Sequence, residues 1–151
     1  MSETTTPPLA YEARLRERFG DAIQSSYLAV TTPTFVVDPA HLIPICQFVR
    51  DDLGFRLPVL CSAIDLRDRF EVVWHVYHLD TCETLAIKVV LPHDDPRVAS
   101  TTPVWKGMDW HEREAFDLMG ILFEGHPDLR RILLPDDWEG HPLRKDYTAI
   151  D

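Results

Sequence analysis

Residues 70–91, FEVVWHVYHLDTCETLAIKVVL, carry the pattern on which the fold turns. Phe70, Val72, Trp74 and Val76 alternate with Glu71, Val73, His75 and Tyr77. Leu85, Ile87, Val89 and Leu91 alternate in the same way with Thr84, Ala86, Lys88 and Val90. A period of two lines one face of a strand with apolar side chains. The link Leu79-Asp80-Thr81-Cys82 is short, which predicts an antiparallel hairpin. Upstream, the mainly apolar run from Leu57 to Ile64 supplies a third candidate strand.

The flanks read as helices. Leu9, Leu15, Phe19 and Ile23 fall near one helical face, and Gly20 supplies a stop. Two short β-prone stretches follow, Tyr27 to Thr31 and Phe35 to Val37, punctuated by Pro33. Asp38-Pro39 then has the form of an N-cap with proline at the first helical position. Leu42, Ile43, Ile45, Cys46, Val49 and Leu53 give that helix its buried stripe up to Gly54, with Pro44 expected to kink or delay it. Past a proline-punctuated loop over 92–103, Asp109-Trp110-His111-Glu112 has the D-x-x-E form of a capping box. That predicts a helix through Met119, ending at Gly120. The expected fold is α+β: a small, mainly antiparallel sheet with one face covered by the N-terminal helices.

Composition limits what such a domain can do. The 151 residues are 45% hydrophobic, enough for one core without staples. Fifteen Lys and Arg against 25 Asp and Glu leave a formal charge of −10, a poor match for nucleic acid or anionic lipid heads. No apolar run approaches the roughly 20 residues that span a bilayer, and residues 1–8 lack the pattern of a signal peptide. The chain is therefore expected to be cytosolic. Cys46, Cys61 and Cys82 are isolated, which argues against disulfides and against a four-thiolate cluster held by this chain alone. They are expected to serve as small core hydrophobes.

The sequence after residue 121 is the anomaly. FEGHPDLRRILLPDDWEGHPLRKDY, residues 123–147, has neither helical nor strand period, yet it is too apolar for disorder. Extended backbone must place its N–H and C=O groups somewhere, so the segment is expected to wrap a surface. The organisation read from these signals is a flexible lead over 1–8, one α+β domain over 9–121, and an extended partner-binding tail over 122–151.

Catalytic constellations are weak. His111, Glu112 and Glu114 suggest a metal, but Ala115 stands where a second zincin histidine would be. His126 and His141 each lie in Glu-Gly-His-Pro, where local hydrogen bonding is the expected role. No G-x-S-x-G, G-x-G-x-x-G or P-loop occurs. Arg113 and Asp117 are spaced i,i+4, as in a surface ion pair or a charged docking ridge.

Glu112-Arg113-Glu114-x-x-Asp117-Leu118-Met119, followed by His126-x-x-x-Arg130-x-Ile132-Leu133, resembles the signature of one complex I family. That family is the thirty-kilodalton, or C, subunit of NADH:quinone oxidoreductase. The stretch Gly125 to Tyr147 is similar to the family's ending. The resemblance implies a non-catalytic scaffold of the peripheral arm, binding no cofactor of its own. FMN, iron–sulfur clusters and quinone would belong to partner subunits. It implies docking on the forty-nine-kilodalton (D) and B subunits, at the cytoplasmic side of the cell inner membrane. Glu112, Arg113, Glu114, Asp117, His126, Arg130, Arg131, Arg144 and Lys145 would then be signature or interface residues, with Trp138 and Tyr147 as aromatic anchors. Three alternatives accompany this reading. One is the equivalent subunit of a membrane-bound hydrogenase, a formate hydrogenlyase or a ferredoxin-fed complex. Another is a free-standing metal-dependent hydrolase using His111, Glu114 and His126. The third is a soluble binding module with no membrane partner.

Overall fold

The computed structural model describes residues 6–148, so residues 1–5 of the expected lead lie outside the described residues. Helix α1 (Thr6–Phe19) leads into β1 (Ile23–Ala29) and β2 (Thr32–Val37), which form an antiparallel hairpin. Helix α2 (Leu42–Asp51) precedes β3 (Leu57–Asp65), β4 (Arg69–His78) and β5 (Glu83–Pro92). These five strands make one sheet in the order β1-β2-β5-β4-β3. The β4–β5 hairpin has the predicted antiparallel register, with Trp74 opposite Ile87 and Val72 opposite Val89. The β2–β5 pairing is parallel, so the sheet is mixed.

The alternation of residues 70–91 has the predicted consequence. Phe70, Val72, Trp74 and Val76 are fully buried, as are Leu85, Ile87 and Val89. Such burial stabilises by about 1.5–3 kcal/mol per large apolar side chain. Leu15 of α1 and Leu42, Ile45 and Val49 of α2 close the core from the helical side. Helix α3 (Met108–Met119) joins them there, because Trp74 on that face donates its indole N–H to Glu112. The covering layer is thus larger than the two N-terminal helices expected. The opposite face carries Tyr27, Leu57, Leu60 and Ile64, all exposed, around a Glu71–Lys88 ion pair at 3.1 Å.

Several local expectations are corrected. Of the two outcomes expected of Pro44, a kink or a delayed start, α2 shows the delayed start. A 3-10 turn over Pro39–His41, capped by Asp38 accepting from the Ala40 N–H at 3.0 Å, delays the α-helix until Leu42. Pro44 then falls in the first turn, where a missing N–H costs nothing. Pro33 lies inside β2 instead of interrupting it, just ahead of the parallel pairing at Thr34–Val36. The loop over 92–103 contains β6 (Arg97–Ala99), which pairs in parallel with β7 (Leu122–Glu124). Ile121 and Phe123 are both buried in the core. The boundary drawn at 121/122 therefore falls between two core residues. Cys46 and Cys61 are buried, but Cys82 is exposed in the β4–β5 turn at φ +61°.

Candidate functional site

Helix α3 starts at Met108 without a side-chain cap, so the D-x-x-E box expected at Asp109 does not form. Its Glu112 is recruited elsewhere. The side chain is fully buried, and its carboxylate accepts from four donors. Ser100 Oγ lies 2.6 Å from Oε1, while Thr101 N and Oγ1 lie 2.8 and 2.6 Å from Oε2. The Trp74 indole N–H is the fourth, at 3.3 Å. Because the Ser100 hydroxyl is spent on the carboxylate, Thr102 Oγ1 donates to Ser100 Oγ at 2.8 Å. Glu112 thus ties α3 to the 100–102 loop and to strand β4, not to the tail.

Arg113 and Asp117 do not pair with each other as their spacing suggested. Each turns to the segment that follows β7. Arg113 donates to the carbonyls of Arg130 and Arg131 at 3.1 and 3.0 Å, with its guanidinium 5.0 Å from the Trp110 ring. Asp117 is fully buried. Its Oδ1 accepts from Arg131 at 2.7 Å, and Oδ2 accepts from the successive N–H groups of Ile132, Leu133 and Leu134 at 3.1, 2.8 and 2.9 Å. Three consecutive amides around one carboxylate form an anion nest. Burial works to raise the Asp117 pKa, but the Arg131 guanidinium and the nest hold it below the usual carboxylate range.

The end of α3 explains how an irregular segment can be ordered. The last carbonyls of a helix lack intrahelical partners, and the helix dipole makes them attractive to cations. Here Arg131 and the His141 Nδ1–H both reach the Asp117 carbonyl at 3.0 Å. Leu143 N donates to the Leu118 carbonyl at 3.0 Å, and Arg144 Nε donates to that of Met119 at 2.7 Å. Arg131 also donates to the carbonyls of Trp138 and Gly140, which holds that bend closed. The tail is therefore the C-cap of α3.

Gly120 makes this seating possible. It sits at φ +77°, and a Cβ there would lie 2.6 Å from Arg144 Nη2 and 2.7 Å from His141 Cδ2. Gly120→Ala is expected to cost about 2 kcal/mol, from backbone strain and displacement of both caps. Urea unfolding measures this; a loss under roughly 0.5 kcal/mol would mean that the tail is not seated at this helix end.

Farther along, Lys145 contributes its backbone N–H, not its ammonium, to Asp65 Oδ2 at 2.9 Å. Asp65 Oδ1 takes the Arg67 N–H at 2.7 Å and lies 3.2 Å from His93 Nε2. Burial would raise the Asp65 pKa, but the Lys145 and Arg67 amides and His93 lower it overall. His126 Nδ1 accepts from Asp128 N at 3.0 Å, so its Nε2–H faces the Asp109 carbonyl at 3.2 Å. Local bonding, expected of both histidines, holds only for His126 Nδ1; the other bonds of His126 and His141 run back to Asp109 and Asp117 of α3. Tyr147 is half-buried against Gly140, whereas Trp138, Arg130 and Lys145 are exposed. Among the described residues, Arg130 pairs only with Asp128 beside it, at 2.9 Å.

Glu114 is exposed and has no hydrogen-bond or ion-pair partner among the described residues. No group of three His, Cys, Asp or Glu side chains within reach of one ion is found among the described residues, so His111, Glu114 and His126 are not assembled as a metal site. The Cys46 and Cys61 thiols are pushed well up by burial, with the Glu112 charge adding to it, and are poor thiolate donors. Sequence reasoning missed Ser100, Thr101, Asp65 and His93. A cluster of small hydroxyls upstream of a helical acid was the one signal for the first two.

Comparison with known proteins places the chain among relatives of similar sequence and fold. Residues 35–151 match the family model described as "Respiratory-chain NADH dehydrogenase, 30 Kd subunit". The C subunit of the NADH-quinone oxidoreductase of Chloroherpeton thalassium is 44% identical over 146 residues, covering 93% of this chain and 60% of that protein. The protein of the same name from Roseiflexus sp. is 42% identical over 138 residues, covering 88% and 79%. This chain therefore spans between about three fifths and four fifths of these two relatives. Among solved structures, "Nqo5 of the trypsin-resistant fragment (1-134)" is similar with a TM-score of 0.66 at 23% identity, covering 83% of this chain and all of that one. A chain of the archaeal membrane-bound sulfane sulfur reductase reaches a TM-score of 0.80 at 19% identity, covering 94% and 86%. At these identities the two structures share the fold.

Proposed function

Because the chain belongs to the thirty-kilodalton subunit family of the respiratory-chain NADH dehydrogenase, we propose that it is the non-catalytic scaffold of the peripheral arm of a proton-translocating NADH:quinone oxidoreductase. The carrying observation is the 44% identity, over 93% of the chain, to the C subunit of such an enzyme. The geometry agrees in one respect: the buried charges of the signature, Glu112, Arg113 and Asp117, are consumed in fixing α3 to its surroundings. A residue already saturated by four structural donors has little left to offer a substrate.

In this reading the chain docks on the D and B subunits, and the segment after β7 presents the contact surface. FMN, the iron–sulfur clusters and quinone are bound by partner subunits, and this chain supports electron transfer from NADH to quinone by holding them in place. No helix of the described residues is long and apolar enough to cross a membrane. Attachment to the cytoplasmic side of the inner membrane would then run through the complex. The likeness of fold to a chain of the archaeal sulfane sulfur reductase supports a second reading, the equivalent subunit of a related membrane complex with a different electron donor.

The test is purification of the tagged native chain from gently solubilised membranes, with mass spectrometry of what accompanies it. Recovery of the B and D subunits with the flavin-bearing NADH subunits is expected. Components of a hydrogenase or sulfur reductase in their place would establish the second reading, and a chain recovered alone from the soluble fraction would overturn both.

A further inference from the structure

We infer that the outer ridge of α3, with the groove beside it, receives a basic segment of a partner subunit, and that Glu114 takes its cationic head. The inference rests on the scaffold reading and names the chemistry of the partner. Trp110, Glu114 and Leu118 are spaced i, i+4 and i+8, so they form one ridge along the helix. Trp110 is 60% exposed, an unusual fraction for the largest apolar side chain. Beside the ridge lies a groove of about 170 Å³ between α3, β3 and the tail. Its walls are Ala63, Ala115, Leu118, Met119 and Leu143, and Glu114 stands among them.

Size and charge together select the occupant. Cofactor and metabolite pockets run to roughly 300–1,000 Å³, whereas a cavity of about 150 Å³ holds a benzene-sized group. The groove therefore suits a single side chain. Glu112 and Asp117 are saturated by donors of this chain, and the neighbouring Arg113 is committed to two carbonyls. Glu114 alone of the signature acids has no donor among the described residues. An apolar groove with a free carboxylate complements lysine or arginine, whose hydrocarbon stem covers apolar surface while the head stays polar. The excess of ten negative charges on this chain favours a basic partner in the same sense. Trp110 supplies an aromatic anchor next to the ion pair.

The experiment puts tagged full-length Glu114→Arg, Glu114→Gln or Leu143→Arg in place of the native chain and repeats the membrane purification at low and raised salt. Glu114 is exposed and bonds to nothing described, so its variants should melt within about 1 °C of the wild type. Leu143 is hydrogen-bonded to α3 through its backbone N–H, which the substitution keeps, so the third variant tests the same groove at a second wall position. Glu114→Arg and Leu143→Arg are each expected to recover about tenfold less of the partner subunits, by like-charge repulsion of the incoming cation. Glu114→Gln should lose less, and its recovery should no longer fall with salt as the wild type's does. Wild-type recovery matched by both arginine variants would overturn this inference and leave the scaffold reading intact. Failure of the wild-type chain itself to bring down any other component would overturn both.

Discussion

Asp117→Ala is expected to cost about 3–5 kcal/mol, the range for removing one partner of a buried ion pair. The substitution leaves Arg131 unneutralised at 13% side-chain exposure and strips the acceptor from three consecutive amides. It also undoes the C-cap, because Arg131 bridges Asp117 to the bend at Trp138 and Gly140. Asp117→Asn keeps the shape but presents a donor where donors already converge, so it should lie between alanine and wild type. Urea unfolding and limited proteolysis measure the two consequences separately, and an alanine variant within about 1 kcal/mol of wild type would sink this account of the tail.

The same residue gives a pH signature. Its folded pKa is depressed, as is that of Asp65. Each therefore contributes stability that is fully present above the unfolded carboxylate pKa, about 4, and is lost as pH falls through the lower folded value. The wild type should hold its stability down to about pH 4 and lose it steeply below. Asp117→Asn should show a shallower acid slope, by close to one proton.

Glu112→Ala is the second large expectation, at roughly 4 kcal/mol. A buried donor left unmade costs about 1–3 kcal/mol, and four converge here, although two hydroxyls can turn to new partners. A cavity penalty adds to that. Near-ultraviolet circular dichroism should change along with stability, because Trp74 loses its indole partner. Glu112→Gln keeps the volume and should cost about half as much. A Glu112→Ala protein with wild-type Trp74 spectra and stability would mean that the 100–102 loop is held by something else.

How far these features could be read beforehand varied with their physics. The hairpin over 70–91 was plain, because burial of one face enforces a period of two over ten residues per strand. Helix α3 was legible up to its stop, where Gly120 adopts the left-handed conformation expected of it. Its start at Met108 lies one residue from the expected Asp109, but its cap was not legible, since the spacing of Asp109 and Glu112 cannot reveal that a distant loop offers Glu112 better donors. Strands β6 and β7 are three residues each, too short for any period to show. The order of the tail was inferred from its apolar content. Its method was hidden, because irregular backbone satisfied by cations at a helix end leaves no repeating mark in a sequence. Asp117, an acid on the buried side of α3, was the visible clue.

The sharing of bonds between α3 and the tail also sets an order of events at the ribosome. The carbonyls of Asp117, Leu118 and Met119 and the Oδ2 of Asp65 acquire these partners only when residues 131–145 have emerged. A nascent chain of which about the first 125 residues have emerged should have its main sheet paired while α3 remains frayed at its end and prone to chaperone capture. Emergence of residues 131–145 would close that window in one step, coupling the seating of this helix end to the arrival of the segment that caps it.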